Sequence, residues 1–416
     1  MPSFDITIIG AGIVGLATAW QISKKQPGLR VAVVEKEPQP AAHQTGHNSG
    51  VIHSGIYYKP GGSKAQNCRR GYRYLLEFAQ EHGIPLEICG KVIVATRDWE
   101  LPQLDKIFER GQANGLDGIK IISPEECREI EPHVRAVRAI RVPQSGIIDY
   151  GAVTRKYLEL AQQVNTTAFF GQAVQHIDIR TEGAFVHTPD HEIQSKLVIN
   201  CAGLYSDKVA EMTMPEVDLQ IIPFRGEYYE LVPERQHLVN HLIYPVPNPH
   251  FPFLGVHYTR MIHGGIEAGP NAVLAFRREG YSRWDIDWRE LSETLRYPGF
   301  RRIAQKHWRY GLNELYRSYS KSAFVRALQH LIPEVGEKDL QRGGAGVRAM
   351  AATPDGELVD DFLFLRGKRV INVCNAPSPA ATASLSIGET VAEMGIEALN
   401  ETIETHNNAT RIKSKR

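Results

Sequence analysis

Gly10, Gly12 and Gly15 have the spacing of a turn built to hold phosphate. They follow the β-branched run Ile6-Thr7-Ile8-Ile9 and lead into Leu16 to Ile22, which reads as a helix. A second strand, Val31-Ala32-Val33-Val34, ends on Glu35, twenty residues past Gly15. Gly10 allows the tight turn, Gly12 lets the backbone approach a pyrophosphate, and Gly15 lets helix and strand pack closely. The helix N-terminus offers N–H groups and the positive end of a dipole to the phosphates. Glu35 can accept hydrogen bonds from a ribose. Strand, glycine turn, helix, strand and acid in this order predict a dinucleotide site. No second turn of this kind occurs, so a two-nucleotide reductase is not expected.

Other residues capable of chemistry lie far from this turn. Arg348 follows the run Gly343-Gly344-Ala345-Gly346-Val347, and a guanidinium there can bind a carboxylate through two parallel hydrogen bonds. Arg225 sits among apolar neighbours in a strand pattern. Burying it demands an anion, and either a ligand or the nearby Glu227 or Glu230 could supply one. His53, in the polar glycine-rich segment Thr45 to Gly62, and His257 are candidate bases, since neutral imidazole accepts a proton near pH 7. A lone histidine is more often a packing or surface residue.

The elements that must position these groups follow from pattern. Ala65 to Glu81, Leu101 to Asn114 and Asp149 to Val164 read as helices. So does the segment beginning at Ser123, a good N-cap with Pro124 at the first helical position. Lys91 to Ala95, Ile119 to Ile122, Leu197 to Asn200, Ile221 to Val232, Phe253 to His257, Met261 to Ile266 and Arg369 to Cys374 read as strands. Two small-residue turns, Cys201-Ala202-Gly203 and Asn375 to Thr382, each follow a strand. The second precedes a helix, Ala383 to Leu399. The tail beyond Asn400 is polar, and Arg411 to Arg416 is expected to fray. Arg283 to Gln329 is helical and holds three of the five tryptophans, Trp284, Trp288 and Trp308, among interleaved arginines. It reads either as amphipathic packing with a solvated basic face or as an interfacial membrane or partner surface.

At 416 residues the chain should form two domains. A formal charge of +1 gives no general case for nucleic acid or an anionic membrane. The five cysteines are scattered and odd in number, which fits reduced thiols in a cytoplasmic setting and no metal site. No apolar run approaches the roughly eighteen residues of a membrane span, and the amino end does not read as a signal peptide.

Joined in order, the opening turn, His47-Asn48-Ser49-Gly50-Val51-Ile52-His53-Ser54-Gly55, Val198 to Gly203 and Gly346-Val347-Arg348 resemble a known flavoprotein superfamily. It contains the D-amino-acid oxidases and glycerol-3-phosphate dehydrogenases. The likeness sharpens at Pro223 to Tyr229, Phe253 to His257, Gly269 to Val273 and Asn375 to Thr382, where the chain resembles the L-2-hydroxyglutarate dehydrogenase (oxidase) family. The resemblance implies an α/β fold: a Rossmann-type FAD-binding domain with a second, mixed-sheet α+β substrate domain. The first is expected from 1–88, 148–215 and 336–400, the second from 89–147 and 216–335 with its helical part at 283–329. A polar tail, 401–416, closes the chain.

The resemblance also implies non-covalent FAD and oxidation of a small dicarboxylate 2-hydroxy acid by hydride transfer to flavin N5. Electrons would pass to the membrane quinone pool or to oxygen. The enzyme would be cytoplasmic, with peripheral contact to the inner membrane through 283–329. Gly10, Gly12, Ile13, Val14, Gly15, Glu35, Lys36, Thr45, His47, Asn48, Ser49, Ala202, Gly203, Arg348, Ser378, Ala380, Ala381 and Thr382 are expected to line the cofactor. His53 and His257 become the rival bases. Arg348 and Arg225 become the two anchors a dianion needs, with Tyr57, Tyr244 and Thr259 beside them. Tyr57 stands where the glycerol-3-phosphate dehydrogenases carry a phosphate-facing arginine, which argues against a phosphorylated substrate. The alternatives are an oxidase of another 2-hydroxy acid or of an amino acid, and, outside enzymes, a flavin-binding scaffold or a nucleic-acid module.

Overall fold

The computed structural model describes residues 2–248 and 254–413. Two large sheets carry the chain. The first has eight strands, and its centre is parallel. Ser3–Ile9 lies between Val31–Val34 and Glu192–Asn200, Thr166–Phe169 pairs with Val31–Val34, and Val370–Asn375 pairs with Glu192–Asn200. Val31–Val34 is wholly apolar, and residues 6–9 and 197–199 of the next two strands are buried and nearly so, as stretches covered on both faces must be. The helices Ile13–Lys25, Ser63–Glu81, Tyr150–Val164 and Ser384–Lys413 cover one face and share its core.

The second sheet has nine strands, among them Lys91–Ala95, Arg138–Val142, Gln220–Leu231, Leu242–Pro245, His257–Arg260, Ile266–Gly269 and Leu340–Ala352. Leu340–Ala352 runs antiparallel to Gln220–Leu231 along its whole length. The segment 336–400 therefore supplies strands to both sheets, Leu340–Ala352 to the second and Leu363–Gly367 and Val370–Asn375 to the first. Side chains alternate across a strand, so register fixes which ones share a face. Leu242 pairs with both Lys91 and Thr259, His257 with Gly269, Thr259 with Glu267, Glu230 with Glu267, and Phe224 with Arg348. Lys91, Tyr244, His257, Thr259, Glu267, Tyr228 and Arg348 consequently face one way. Val92, Val94, Ile243, Tyr258, Ala268, Tyr229 and Leu231 face the other, where Phe324, Val325 and Leu328 cover them. One face is core and the other is free to build a site.

The expected elements are largely present. Ser123 accepts from the Glu126 N–H in a full capping box, with Pro124 in the first turn. Three expectations change. The strand proposed at Met261 to Ile266 is a turn: Gly264 and Gly265 take positive φ, and the strand begins at Ile266. The strand placed at Phe253 to His257 falls partly outside the described residues and starts instead at His257. The final helix runs from Ser384 to Lys413, past the end expected for it at Leu399 and through most of the polar tail. The helical stretch divides into Trp288–Arg296, Pro298–Tyr319 and Lys321–Leu328. Among the described residues no helix is long and apolar enough to cross a membrane.

Candidate active site

The parallel strands Ser3–Ile9 and Glu192–Asn200 end side by side, and the glycine turn lies at that edge. This is where open α/β sheets bind ligands. Gly10 has φ +102°, and a Cβ there would meet the Cys201 carbonyl oxygen at 2.5 Å. A Cβ on Gly15 would lie 2.1 Å from the Gly10 carbonyl oxygen. Both positions admit glycine alone. Gly12, Ile13, Val14 and Gly15 open the helix, where N–H groups have no acceptor one turn earlier. The Thr45 hydroxyl takes one of them, the Ile13 N–H, at 3.0 Å. Glu35 accepts from the Ala11 N–H at 2.7 Å and from the Glu37 N–H at 2.9 Å, which aims its carboxylate at the turn.

Around this cradle Asn48 ties its own loop by donating to the carbonyls of Gln44 and Thr45 and accepting from the Gly50 N–H, with Ser49 between. Asn200 accepts from the Ala202 N–H and holds the turn that leads to Gly203. His47 stacks on Tyr281 with ring centroids 4.1 Å apart. Lys36 is engaged with Glu37, His43 and Glu279. Those three side chains converge as metal ligands might, but the Lys36 ammonium sits among them.

Across from the glycine turn, the segment Val51 to Tyr58 meets the turn before the last helix. The His53 N–H donates to Thr382 Oγ1 at 3.1 Å, and Tyr150 shares that hydroxyl at 2.8 Å. Ser378 Oγ lies 3.4 Å from His53 Nε2. Ala380 and Ala381 complete the turn between them. Thr382 thus links the His53 segment to the final helix.

The site face of the second sheet closes the space. His257 is buried, and its Nδ1 lies 2.9 Å from the Gly255 carbonyl oxygen. A carbonyl can only accept, so Nδ1 carries the proton and Nε2 keeps its lone pair. The ring packs on Tyr244, centroids 4.1 Å apart. Burial pushes His257 down to about 3, and the charges of Arg348 and Lys91 push the same way. His53 is also pushed down to about 3, by burial and then by Lys91 and His257. Both imidazoles are therefore neutral near pH 7. His53, Tyr57 and Tyr228 lie deep among protein atoms yet keep exposed surface, as side chains lining an internal space do. Tyr57 Oη, Thr259 Oγ1 and Glu267 Oε2 are buried without a hydrogen-bond partner among the described residues. Burial, then Glu230, raises Glu267 to about 7.

Arg225 does not join this group. It is an odd-numbered position on a strand whose even positions face the site, so it points into the opposite face. Its Nε and Nη2 bond Glu227 Oε1 at 3.2 and 3.1 Å, and Nη1 donates to the Ser282 carbonyl. Arg283, Asn271 and Ser318 complete the Glu227 shell. The second-anchor expectation for Arg225 is overturned: its anion is Glu227. The residue that sequence reasoning passed over is Lys91. It heads a buried strand and is itself only 3 % exposed. Its ammonium lies 4.8 Å from the ring centroids of both Tyr57 and Tyr244. The available signal was a lysine leading an otherwise apolar run, Val92-Ile93-Val94-Ala95.

The donor set fits FAD. Two glycines that nothing larger can replace, a helix N-terminus, and an acid held at the turn are what a dinucleotide requires, and a second wall of buried, unpartnered polar atoms stands opposite.

Comparison with known proteins agrees. The family described as FAD dependent oxidoreductase matches residues 5–394. L-2-Hydroxyglutarate dehydrogenase of Indibacter alkaliphilus is 53% identical over 95% of this chain and 99% of its own length. The enzyme of that name from Escherichia coli strain K12 is 45% identical, covering 92% and 91%. The human mitochondrial enzyme of that name is 42% identical, covering 94% and 88%. Among solved structures, FAD-bound L-α-glycerophosphate oxidase of Mycoplasma pneumoniae superposes with a TM-score of 0.78 at 23% identity, over 96% of this chain and 95% of that one. The last is a likeness of fold.

Proposed function

Since the chain belongs to the FAD-dependent oxidoreductase family, among its L-2-hydroxyglutarate dehydrogenases, we propose that it oxidises L-2-hydroxyglutarate to 2-oxoglutarate. The observation that carries this reading is the shared face that sets His257, Arg348 and Tyr244 opposite His53. FAD, when bound, supplies the hydride acceptor. The rest falls to the chain. Arg348 holds the carboxylate next to the reacting carbon, and that grip fixes which hydrogen the substrate presents. Nε2 of His257 takes the hydroxyl proton, because its tautomer is fixed with the lone pair outward. The substrate's negative charge offsets the Arg348 and Lys91 fields that depress His257, so the base strengthens when substrate arrives. His53, beside Ser378 and anchored through Thr382, borders the same space from the cofactor side. Tyr57 and Thr259 line it. No bond to FAD is invoked: the cofactor is held non-covalently.

The test is anaerobic bleaching of the flavin by L-2-hydroxyglutarate, its D-enantiomer, L-malate, L-lactate and L-glutamate. Rapid bleaching by the first alone is expected. Bleaching by L-glutamate in its place would make the enzyme an amino-acid oxidase and end this reading.

A second proposal concerns the acceptor. Trp284, in the turn before Trp288–Arg296, and Trp288, Trp308, Leu312, Tyr316 and Tyr319 on the helices are all exposed, as is Arg289 next to Trp288. Aromatic rings flanked by arginine suit a lipid interface. This surface is proposed to rest on the cytoplasmic face of the membrane, with quinone as acceptor. Sedimentation with anionic vesicles, lost in a Trp284→Ser, Trp288→Ser variant, is the expected result. Unchanged sedimentation would refute it.

A further inference from the structure

Three cations are buried among the described residues: Arg225, Arg278 and Lys91. Arg225 has Glu227, and Arg278 grips both oxygens of Asp207 at 2.6 and 2.8 Å. Lys91 has no carboxylate and no hydrogen-bond acceptor among the described residues. Two tyrosine faces flank its ammonium, and the neighbouring Cys68 is a thiol that burial pushes up to about 12. A buried charge without a counter-ion is costly, and proteins rarely keep one without use. The vacancy in the charge balance lies on the face that bears Arg348 and His257.

We infer that Lys91 is the second anchor of the substrate, binding the carboxylate remote from the reacting carbon and making the site selective for dicarboxylic over monocarboxylic 2-hydroxy acids. The inference rests on the function proposed above and deepens it. His257 feels the positive fields of both Arg348 and Lys91, so both cations lie near it on the shared face. A substrate stretched between the two cations brings the hydroxyl beside its Arg348-bound carboxylate, within the reach of His257. The flanking rings of Tyr57 and Tyr244 suit the methylene groups that separate the carboxylates. The charges also fit: the remote carboxylate of a dianion neutralises Lys91, whereas a monocarboxylate leaves it unpaired. Burial pushes Lys91 down to about 7, with the Cys68 thiol pushing weakly the other way. An arriving carboxylate restores its charge.

Glutarate and butyrate, which lack the hydroxyl and cannot be oxidised, separate binding from chemistry. Each is titrated against the flavin-loaded enzyme and the dissociation constant is read from the flavin spectrum. The wild type should bind glutarate on the order of 100-fold more tightly than butyrate, the difference a buried charge pair makes. Lys91→Met should weaken glutarate about 100-fold while leaving butyrate within about 3-fold, and Lys91→Arg should recover part of the loss. Unchanged butyrate binding shows that the variant is folded and loaded. Turnover gives a second readout: kcat/KM on 2-hydroxybutyrate should survive in Lys91→Met while that on L-2-hydroxyglutarate collapses. Three results would overturn the anchor: no preference for glutarate in the wild type, equal weakening of both ligands, or equal loss of turnover on both substrates. The last would make Lys91 a proton acceptor. A wild type that L-2-hydroxyglutarate does not reduce would defeat the proposed function, whereas one that is reduced, with discrimination intact in Lys91→Met, defeats only the anchor.

Discussion

Replacing Lys91 by methionine should make the protein more stable while making it a poorer enzyme. The folded state depresses Lys91 from 10.5 to about 7, chiefly by burial. A tenfold change in proton affinity is worth about 1.4 kcal/mol, so charging this group in the fold costs on the order of 5 kcal/mol. Spread over the span between the two values, this is the net penalty the charged form carries below neutrality. Its pH dependence has a definite sign. The unfolded chain keeps this lysine protonated up to about 10.5, whereas the fold releases the proton near 7. Between those values the unfolded state binds more protons, so wild-type stability climbs with pH, and below 7 the full penalty applies. Methionine, of similar length, carries no such cost. Urea denaturation of the flavin-loaded proteins at pH 6 and pH 10 provides the assay. Lys91→Met should exceed the wild type by several kcal/mol at pH 6, with the advantage fading toward pH 10. A less stable variant at pH 6, or an advantage that does not change with pH, would refute the reasoning, because either result requires a counter-ion already in place.

Arg225→Met should lower stability by about 3 kcal/mol, because it leaves Glu227 short of a partner, yet leave KM for L-2-hydroxyglutarate unchanged; a melting curve and initial rates suffice. Arg348→Met should do the reverse, cutting kcat/KM by about a thousandfold with flavin content retained. His257→Asn should reduce kcat by about 10²–10⁴, the range for loss of a general base, and more than His53→Asn does. With His257 depressed to about 3 and Lys91 to about 7, kcat/KM should hold down to about pH 4 and fall above neutrality as free Lys91 loses its proton. A pH–rate profile with its acid limb near 6.5 would contradict this. Gly15→Ala should yield protein without flavin absorbance, since the added carbon has no room.

The local code was plain where one short segment decided the structure. The glycine turn, the Ser123 cap and the apolar parallel strands each declare themselves through their own residues. The Met261 to Ile266 misreading came from weighing apolar content over Gly264-Gly265, whose positive φ turns the chain before the strand begins. Arg225 and Lys91 failed for a different reason. Each is a cation in an apolar strand, and the choice between salt bridge and ligand site depends on which face the side chain occupies. That face is set by pairing with strands far along the chain: Arg348 with Phe224, Leu242 with Lys91. Parity alone splits 225 from 224, and nothing local says which parity looks toward the flavin.

The parallel heart of the first sheet has a bearing on how the protein is made. Ser3–Ile9 and Val31–Val34 leave the ribosome well before the flanking strand Glu192–Asn200, and Val370–Asn375 follows later still. The final helix then packs against Ile13–Lys25 to finish the core beneath the glycine turn. Such distant pairings form slowly, since the closure of long loops precedes any reward. The first-made phosphate turn thus waits for nearly the whole chain, and a nascent chain stalled before Val370 would carry the glycines but not the finished sheet that supports them. The sheet beneath the FAD turn is complete only once Val370–Asn375 has paired with Glu192–Asn200.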